Sequence, residues 1–367
     1  MHESPQRQRS NRWLLPAALA GALVVGGVIG GVIVGATKSS AAPAPAAAAS
    51  ATSLSVCNVT SVANQVIPSV VTISAQGRGA SGTGSGEVIR SNGYILTNNH
   101  VIAVAANGGS VQILFADGQT APATITGRDP QTDLAVLKVD VSRTLQVIAM
   151  GNSSSVQVGQ ATVVLGAPLG LSGTVTSGII SALDRTIQVP AENDTSALLV
   201  GAIQTDASIN PGNSGGAMVN CSGQLIGVPS AGATVPSSSG ESSGGSIGLG
   251  FAIPVNLATT IADEIIATGS VTHAYFGLAT VPIPAKAAAD GGVPNGLYVQ
   301  GVVTGGPAAQ AGLRAGDIIT EINGEPATSP VQLQELTLTK KPGDTVPLKY
   351  WRNGQTTTVT VTLGAQP

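Results

Sequence analysis

From residue 56 to about 252 the chain is a succession of short β-type runs, each cut off by Gly, Asn or Ser. Residues 70–75, 86–90, 111–115, 134–139, 161–165 and 225–228 are examples. Strands at this spacing specify an all-β sandwich or a pair of barrels. Aromatic residues make up only 2% of the 367 residues, so the cores must be packed from Val, Ile, Leu and Ala. With 48 Gly and 22 Pro, many turns and few long helices are expected. Residues 229–246 are rich in Ser and Gly and read as a low-complexity, mobile loop.

The N-terminus has a different character. Arg7, Arg9 and Arg12 precede an uncharged apolar run, residues 13–37, with Lys38 just after it. Twenty-odd helical residues at ~1.5 Å each span a hydrocarbon core of ~30 Å. The arginines place residues 1–12 in the cytoplasm and everything after the membrane outside it. A cleaved signal peptide is the competing reading, since small residues follow at 41–49. The length of the run favours an uncleaved anchor. In both readings the main body is exported. Residues 38–55 are Ala, Pro, Ser and Thr, the composition of a linker.

The β-rich unit is expected over 56–255, a connector helix over 256–272 and a small α+β unit over 273–367. In the helix, Leu257, Ile261 and Ile265 recur every four residues, with Asn256 as the expected cap and Gly269 as the end. In the last unit, Ser329-Pro330-Val331-Gln332 reads as a capping box, and Asn353-Gly354 as a hairpin turn. The net charge of −3 and the lack of a basic stripe exclude nucleic acid as an expected partner. Cys57 and Cys221 fit no metal or redox spacing, and no cofactor or metal is expected. A disulfide between them is open if both are exported, the alternative being two unpaired small hydrophobes.

Of three histidines, His2 lies before the anchor and His273 in the connector, so a histidine base in the β-rich unit must be His100. In Asn210-Pro211-Gly212-Asn213-Ser214-Gly215-Gly216, glycines surround a serine. They allow backbone N–H groups to converge while the hydroxyl stays exposed, as acyl transfer requires. A carboxylate must orient the imidazole. Asp117 and Asp129 precede Gly and Pro and read as turn residues. Asp133 enters an apolar strand, where a carboxylate is costly unless paired, and is the choice. Gly77-Arg78-Gly79-Ala80-Ser81-Gly82 matches a dinucleotide fingerprint, but a strand follows instead of a helix.

The order His100, Asp133, Ser214 is that of chymotrypsin-type enzymes. The strings Leu96-Thr97-Asn98-Asn99-His100-Val101, Thr132-Asp133-Leu134-Ala135-Val136 and Gly212-Asn213-Ser214-Gly215-Gly216 resemble the HtrA (Deg) serine proteases. Tyr275-Phe276-Gly277-Leu278, with Gly306-Pro307-Ala308-Ala309, resembles a PDZ domain. The resemblance implies a mainly β fold, a chymotrypsin-like double barrel followed by one PDZ domain. It implies a serine endopeptidase acting on unfolded, misfolded or signalling proteins, with catalytic His100, Asp133 and Ser214. Gly212, Asn213 and Ser214 would form the oxyanion hole. Ser208, Leu249 and Phe251 would shape a pocket for small or medium apolar side chains. Backbone N–H groups of Phe276, Gly277 and Leu278 would hold a peptide's C-terminal carboxylate. Asn213 replaces the aspartate of trypsin-like zymogens, so activation is expected to depend on loop ordering. The family's trimers use the N-terminal stretch, but residues 54–67 carry Cys57 and no aromatics, which leaves the oligomer open. A Cys57–Cys221 bond would tie that stretch near the strand after Ser214. A latent protease acting as a peptide-binding chaperone or scaffold is the alternative function.

Overall fold

The computed structural model describes residues 57–166, 173–192, 195–232, 235–236, 242–243 and 246–367. The expected cytoplasmic tail, anchor and linker lie outside them. Among the described residues no helix is long and apolar enough to cross a membrane.

Helix α1 (Val59–Val66) opens the described chain, capped by Asn58, whose Oδ1 accepts from Ser61 N at 3.0 Å. A closed barrel follows: β1 (Val70–Gln76), β2 (Ser81–Arg90), β3 (Tyr94–Thr97), β4 (Ser110–Leu114), β5 (Thr120–Asp129) and β6 (Leu134–Val139), in the order β1-β2-β3-β6-β5-β4. Helix α2 (Asn99–Ile102) leaves the end of β3. Inside the barrel Ile73, Ile95, Ile102, Ile113 and Leu137 are fully buried, an aliphatic core such as the composition requires.

The second sheet contains β7 (Ala149–Met150), β8 (Ala161–Gly166), β9 (Thr174–Pro190), β10 (Ser196–Thr205), β11 (Ala217–Val219), β12 (Gln224–Gly232) and β15 (Gly250–Pro254). Its order is β11-β8-β9-β10-β15-β12-β7, and the added β11–β12 pairing closes it into a second barrel. Two short strands, β13 (Val235–Pro236) and β14 (Ser242–Ser243), pair with each other. The stretch read as a mobile loop from residue 229 is therefore strand through Gly232, because β12 pairs onward with β15 there.

Helix α3 (Val255–Thr268) ends at Gly269, which is left-handed at φ 82° and donates to Ile265 O. It is more than a connector. Val255, Ala258, Ile261, Ala262 and Ile265 are buried in the core cluster between the barrels. Asn256 does not cap it. Its Oδ1 accepts from Ser153 N, and its Nδ2 donates to Asn152 and Ser154, stapling the helix to a turn of the second barrel.

The last unit holds β16 (Ala274–Tyr275), β17 (Leu278–Pro282), β18 (Leu297–Val302), β19 (Ile318–Ile322), β20 (Glu325–Pro326), β21 (Thr345–Arg352), β22 (Gln355–Thr362) and β23 (Gly364–Ala365). Its helices are α4 (Ala285–Gly291), α5 (Pro307–Gln310) and α6 (Val331–Thr339). The main sheet runs β17-β18-β19-β21-β22, so β17 is an edge strand, and β16 pairs with β23. Start signals read from the sequence act as expected. Ser329 Oγ accepts from Val331 N while Gln332 Oε1 accepts from Ser329 N, a capping box at α6. Asn353 and Gly354, at φ 50° and 83°, turn β21 into β22. Leu338 and Val331 of α6 pack on Leu198 and Val200 of β10, which joins this unit to the second barrel.

Cys57 and Cys221 are disulfide-bonded across 164 residues of sequence. Loop-closure entropy for a ring that long is worth on the order of 5 kcal/mol in a chain-entropy account.

One buried group works against the fold. In β2, Gly86 and Val88 face the barrel interior, against Ile73 and Ile95. Ser85, Glu87 and Ile89 therefore face the second barrel. Ser85 bonds there and Ile89 packs there, but Glu87 is 0% exposed and neither carboxyl oxygen has a side-chain or distant backbone hydrogen-bond partner among the described residues. Burial pushes its carboxyl well above the ordinary carboxylate value, an effect its own backbone N–H offsets only in part. The folded state thus keeps a proton that the unfolded chain has released. Stability is highest below the ordinary carboxylate pKa and falls as pH rises toward the raised one. Urea unfolding at about pH 5 and about pH 8 should show a loss of stability in the native chain. Glu87→Gln should shrink that difference, and an unchanged difference would contradict the assignment.

Candidate active site

The site grows out of the ends of three strands. Strand β3 ends at Thr97, Asn98 follows in an extended conformation as the helix N-cap, and α2 begins at once with Asn99 and His100. Val101 and Ile102, buried in the first barrel, fix the helix and leave the His100 side chain 40% exposed in the cleft.

Asp133 lies just before β6 and is one of four non-glycine residues with positive φ among the described residues, at 59°. That conformation is uncommon for a side-chain-bearing residue and persists where surroundings over-determine it. Here the Asp133 carbonyl accepts from Asn99 N at 3.1 Å and from Asn98 Nδ2 at 2.8 Å. The carboxylate accepts from His100 N at 3.0 Å and from Ser230 Oγ at 2.6 Å. His100 Nδ1 sits 2.9 Å from one carboxylate oxygen and 3.1 Å from the other. Donation by Nδ1 is the tautomer this network assigns, and it leaves Nε2 unprotonated on the cleft side.

The Ser214 loop is clamped onto the first barrel. Ser85 N donates to Ser214 O at 2.9 Å, and Ser85 Oγ to Gly212 O at 2.6 Å. Gly215, at φ 76°, has Thr97 Oγ1 and Ser85 O within 2.4 Å of where a Cβ would stand, so no other residue fits. Asn213 N donates to Asn210 O at 3.0 Å and is taken. The N–H groups of Gly212 and Ser214 have no acceptor among the described residues. Two of the three residues expected to offer oxyanion donors therefore have a free N–H. The Asn213 side chain is buried and donates to Ser208 O at 3.3 Å. Ser214 Oγ donates to Ser230 O at 3.3 Å.

Two hollows meet at His100. One, of about 310 Å³, is lined by Ile209, Asn210, Pro211, Gly212, Ser214 and Gly232 among others. The second, of about 490 Å³, is bordered by Asp133, Ile187, Val189, Ser230 and Phe251. Of the expected pocket residues, Phe251 lines the second hollow. Ser208 and Leu249 line neither. Ser208 offers its carbonyl to Thr176 Oγ1, and Leu249 is 38% exposed. Ile209, one residue on, faces the first hollow and packs within 2.6 Å of a Cβ position at Gly250.

A further hollow, of about 280 Å³, lies between Tyr275-Phe276-Gly277-Leu278 and α6, bordered by Leu333, Gln334 and Thr337. Phe276 is buried in the core of its unit, and Leu278 begins the edge strand β17. The geometry is that of a groove able to accept an extended segment beside an open strand edge.

Sequence reading missed Ser230 and His273. Ser230 sits in β12 past the point where that strand seemed to stop. His273 is buried, and its Nε2 lies 2.9 Å from both carboxylate oxygens of Asp129, also buried. Asp129 does shape a turn, accepting from Gln131 N and Thr132 Oγ1. Its burial depends on a partner 144 residues away.

Comparison with known proteins matches residues 84–228 to a trypsin-like peptidase domain and 274–363 to a PDZ domain. Serine protease PepD of Mycobacterium tuberculosis is 42% identical over 314 residues, 84% of this chain and 66% of that protein. A probable periplasmic serine endoprotease, DegP-like, of Halomonas elongata is 40% identical over 286 residues, 77% of this chain and 56% of that one. The chain thus spans between about half and two-thirds of the length of these relatives. The solved HtrA-type protease AlgW with a decapeptide superposes with a TM-score of 0.66 at 32% identity, covering 84% of this chain and 99% of that one.

Ser230→Ala removes one donor from a buried carboxylate. A hydrogen bond to a charged group is worth about 1.5–3 kcal/mol, and urea unfolding should show a loss of that order. Reaction of Ser214 with a fluorophosphonate should slow in the same variant. Ser230→Thr should restore both, and an Ala variant equal to native in both would remove Ser230 from the site.

Proposed function

The chain belongs to the HtrA-type serine proteases, which join a trypsin-like peptidase domain to a PDZ domain, and from that we propose that it is a serine endopeptidase acting on proteins outside the cytoplasmic membrane. The observation that carries the proposal is the His100–Asp133 pair, with Nε2 left as an acceptor on the cleft that holds Ser214. Ser214 Oγ turns from Ser230 O toward Nε2 and attacks the peptide carbonyl carbon as its proton passes to His100. The carbonyl oxygen becomes an oxyanion, met by the N–H groups of Gly212 and Ser214. His100 returns the proton to the departing amine, and water then hydrolyses the acyl-enzyme by the same route. Asp133 holds the imidazole and stabilises its charged form.

Ile209 and Gly232 bound the hollow next to Ser214, and no Asp, Glu, Lys or Arg is among its lining residues. That chemistry favours small or medium apolar side chains at the cleaved bond. The groove beside β17 takes peptide C-termini. Residues 13–37 anchor the chain, with residues 1–12 in the cytoplasm. Unfolded or membrane-associated proteins are the substrate class.

A second reading rests on one contact. Ser214 donates to Ser230 O, not to His100, so the nucleophile is at rest. A latent protease that mainly tethers or chaperones peptides would have this geometry.

The full chain in mild detergent, treated with a fluorophosphonate probe with and without a C-terminally apolar peptide, separates the two. Labelling should occur and vanish in Ser214→Ala. Absence of labelling in both conditions would favour the scaffold. Ile209→Ala should enlarge the hollow and shift cleavage of a peptide library toward bulkier apolar residues, whereas an unchanged profile would place the specificity pocket elsewhere.

A further inference from the structure

A separate hollow, of about 510 Å³, lies where the second barrel meets the last unit. Strand β10 and helix α3 border it on one side, and the C-terminal end of α6 on the other. Val200, Ile261 and Leu338 give it a buried apolar floor, and Leu257 and Val271 are half-buried in its walls. The pairing of β10 with β9 shifts register between Leu199 and Ala202, and Gly201 in that stretch has φ 62°. A Cβ at Gly201 would meet only Pro254 Cγ, at 3.9 Å, so the absent side chain leaves space on the β10 side. Small molecules bind in clefts of ~300–1,000 Å³ that are mostly apolar, carry a few polar groups and lie at junctions between domains.

The charges at this hollow are unequally occupied. Glu264 Oε1 accepts from Thr272 N at 2.8 Å, and His273 Nε2 faces the Asp129 carboxylate at 2.9 Å. Lys340 and Lys341, at the end of α6, have no carboxylate partner among the described residues, whereas Lys138, Lys286 and Lys349 each have one. Lys340 is half-buried all the same. An apolar hollow with two uncommitted ammonium groups on one side matches a ligand with an apolar body and one anionic end.

We propose that this hollow binds a long-chain fatty acid, with the hydrocarbon on Val200, Leu257, Ile261 and Leu338 and the carboxylate on Lys340 and Lys341. A peptide would bring backbone N–H and C=O groups that need partners. The backbone groups of α3 and α6 are bonded within their helices and offer few. A hydrocarbon chain brings no polar group to satisfy, and only its carboxylate needs donors. The ligand touches both β10 and α6, so it binds while α6 is packed on β10 and by linkage stabilises that packing. The site is independent of the Ser214 chemistry and of the β17 groove.

The test uses the full Ser214→Ala chain in nanodiscs of zwitterionic phosphatidylcholine. Palmitate bearing a mid-chain diazirine is added, the sample is irradiated, and labelled residues are located by mass spectrometry. Label should fall within residues 257–264 and 338–341 and be displaced by plain palmitate. Thr260→Trp, which places a ring in the hollow from the exposed side of α3, should abolish that label. Lys340→Gln combined with Lys341→Gln should lower labelling by the acid ~10-fold, as loss of charged hydrogen bonds would. The corresponding diazirine alcohol should label native and double-variant chains alike, a distinction that a merely unfolded or repacked variant would not make. Label confined to other parts of the native chain would overturn the proposal without any variant. Equal loss of acid and alcohol labelling in the double variant would remove the carboxylate contact. Displacement by an acidic decapeptide but not by palmitate would assign the hollow to peptides. Loss of label in phosphatidylglycerol discs, with no displacement by palmitate, would assign it to membrane phospholipid, and either result would overturn the proposal.

Discussion

The Asp133 carboxylate is the constraint around which the site is built. It is buried and would be unstable there alone. Three donors meet it, from the imidazole and backbone N–H of His100 and from the hydroxyl of Ser230. Those donors come from both barrels, since His100 follows β3 and Ser230 lies in β12. Satisfying one charge thus requires the two barrels to be in place together. The positive φ of Asp133 is tolerated because Asn98 and Asn99 bind its carbonyl. Ser85, bonded to both Gly212 and Ser214, makes a second tie across the same seam.

Much of this was legible in the sequence because the chemistry is scarce. Only three histidines exist, and one enters the β-rich unit from a strand. Few serines are framed by glycines as Ser214 is. The hairpin at Asn353-Gly354 and the capping box at Ser329 are local devices, written within four residues, and the fold realises them locally. What escaped notice depends on distant partners. Ser230 is one serine among many until β12 carries it to a carboxylate 97 residues earlier in the chain. Asn256 has the composition of a cap but serves as a cross-link. Ser208 and Ile209 differ by one position, and only the backbone path decides which faces the hollow.

His273 shows the same limit and marks where the β-rich unit and the last unit interact. Read from sequence it sits in a connector. In the fold it is buried against Asp129, and the residues after it open directly into the β17 groove. Together with the packing of α6 on β10, this makes the last unit part of the environment of the β5–β6 loop. Glu87 is the opposite case, a polar residue in the barrel seam with no partner among the described residues, and its burial reflects where its strand must pass rather than any bond it makes.

The Cys57–Cys221 bond encloses His100, Asp133 and Ser214 within one covalent ring. An endopeptidase is the substrate nearest to its own active site. Any single cut between residues 58 and 220 opens that ring but leaves both pieces attached, so a nicked molecule keeps its two barrels and its C-terminal unit on one covalent body. In an exported setting where the disulfide persists, self-cleavage inside the ring is damage that the chain can survive.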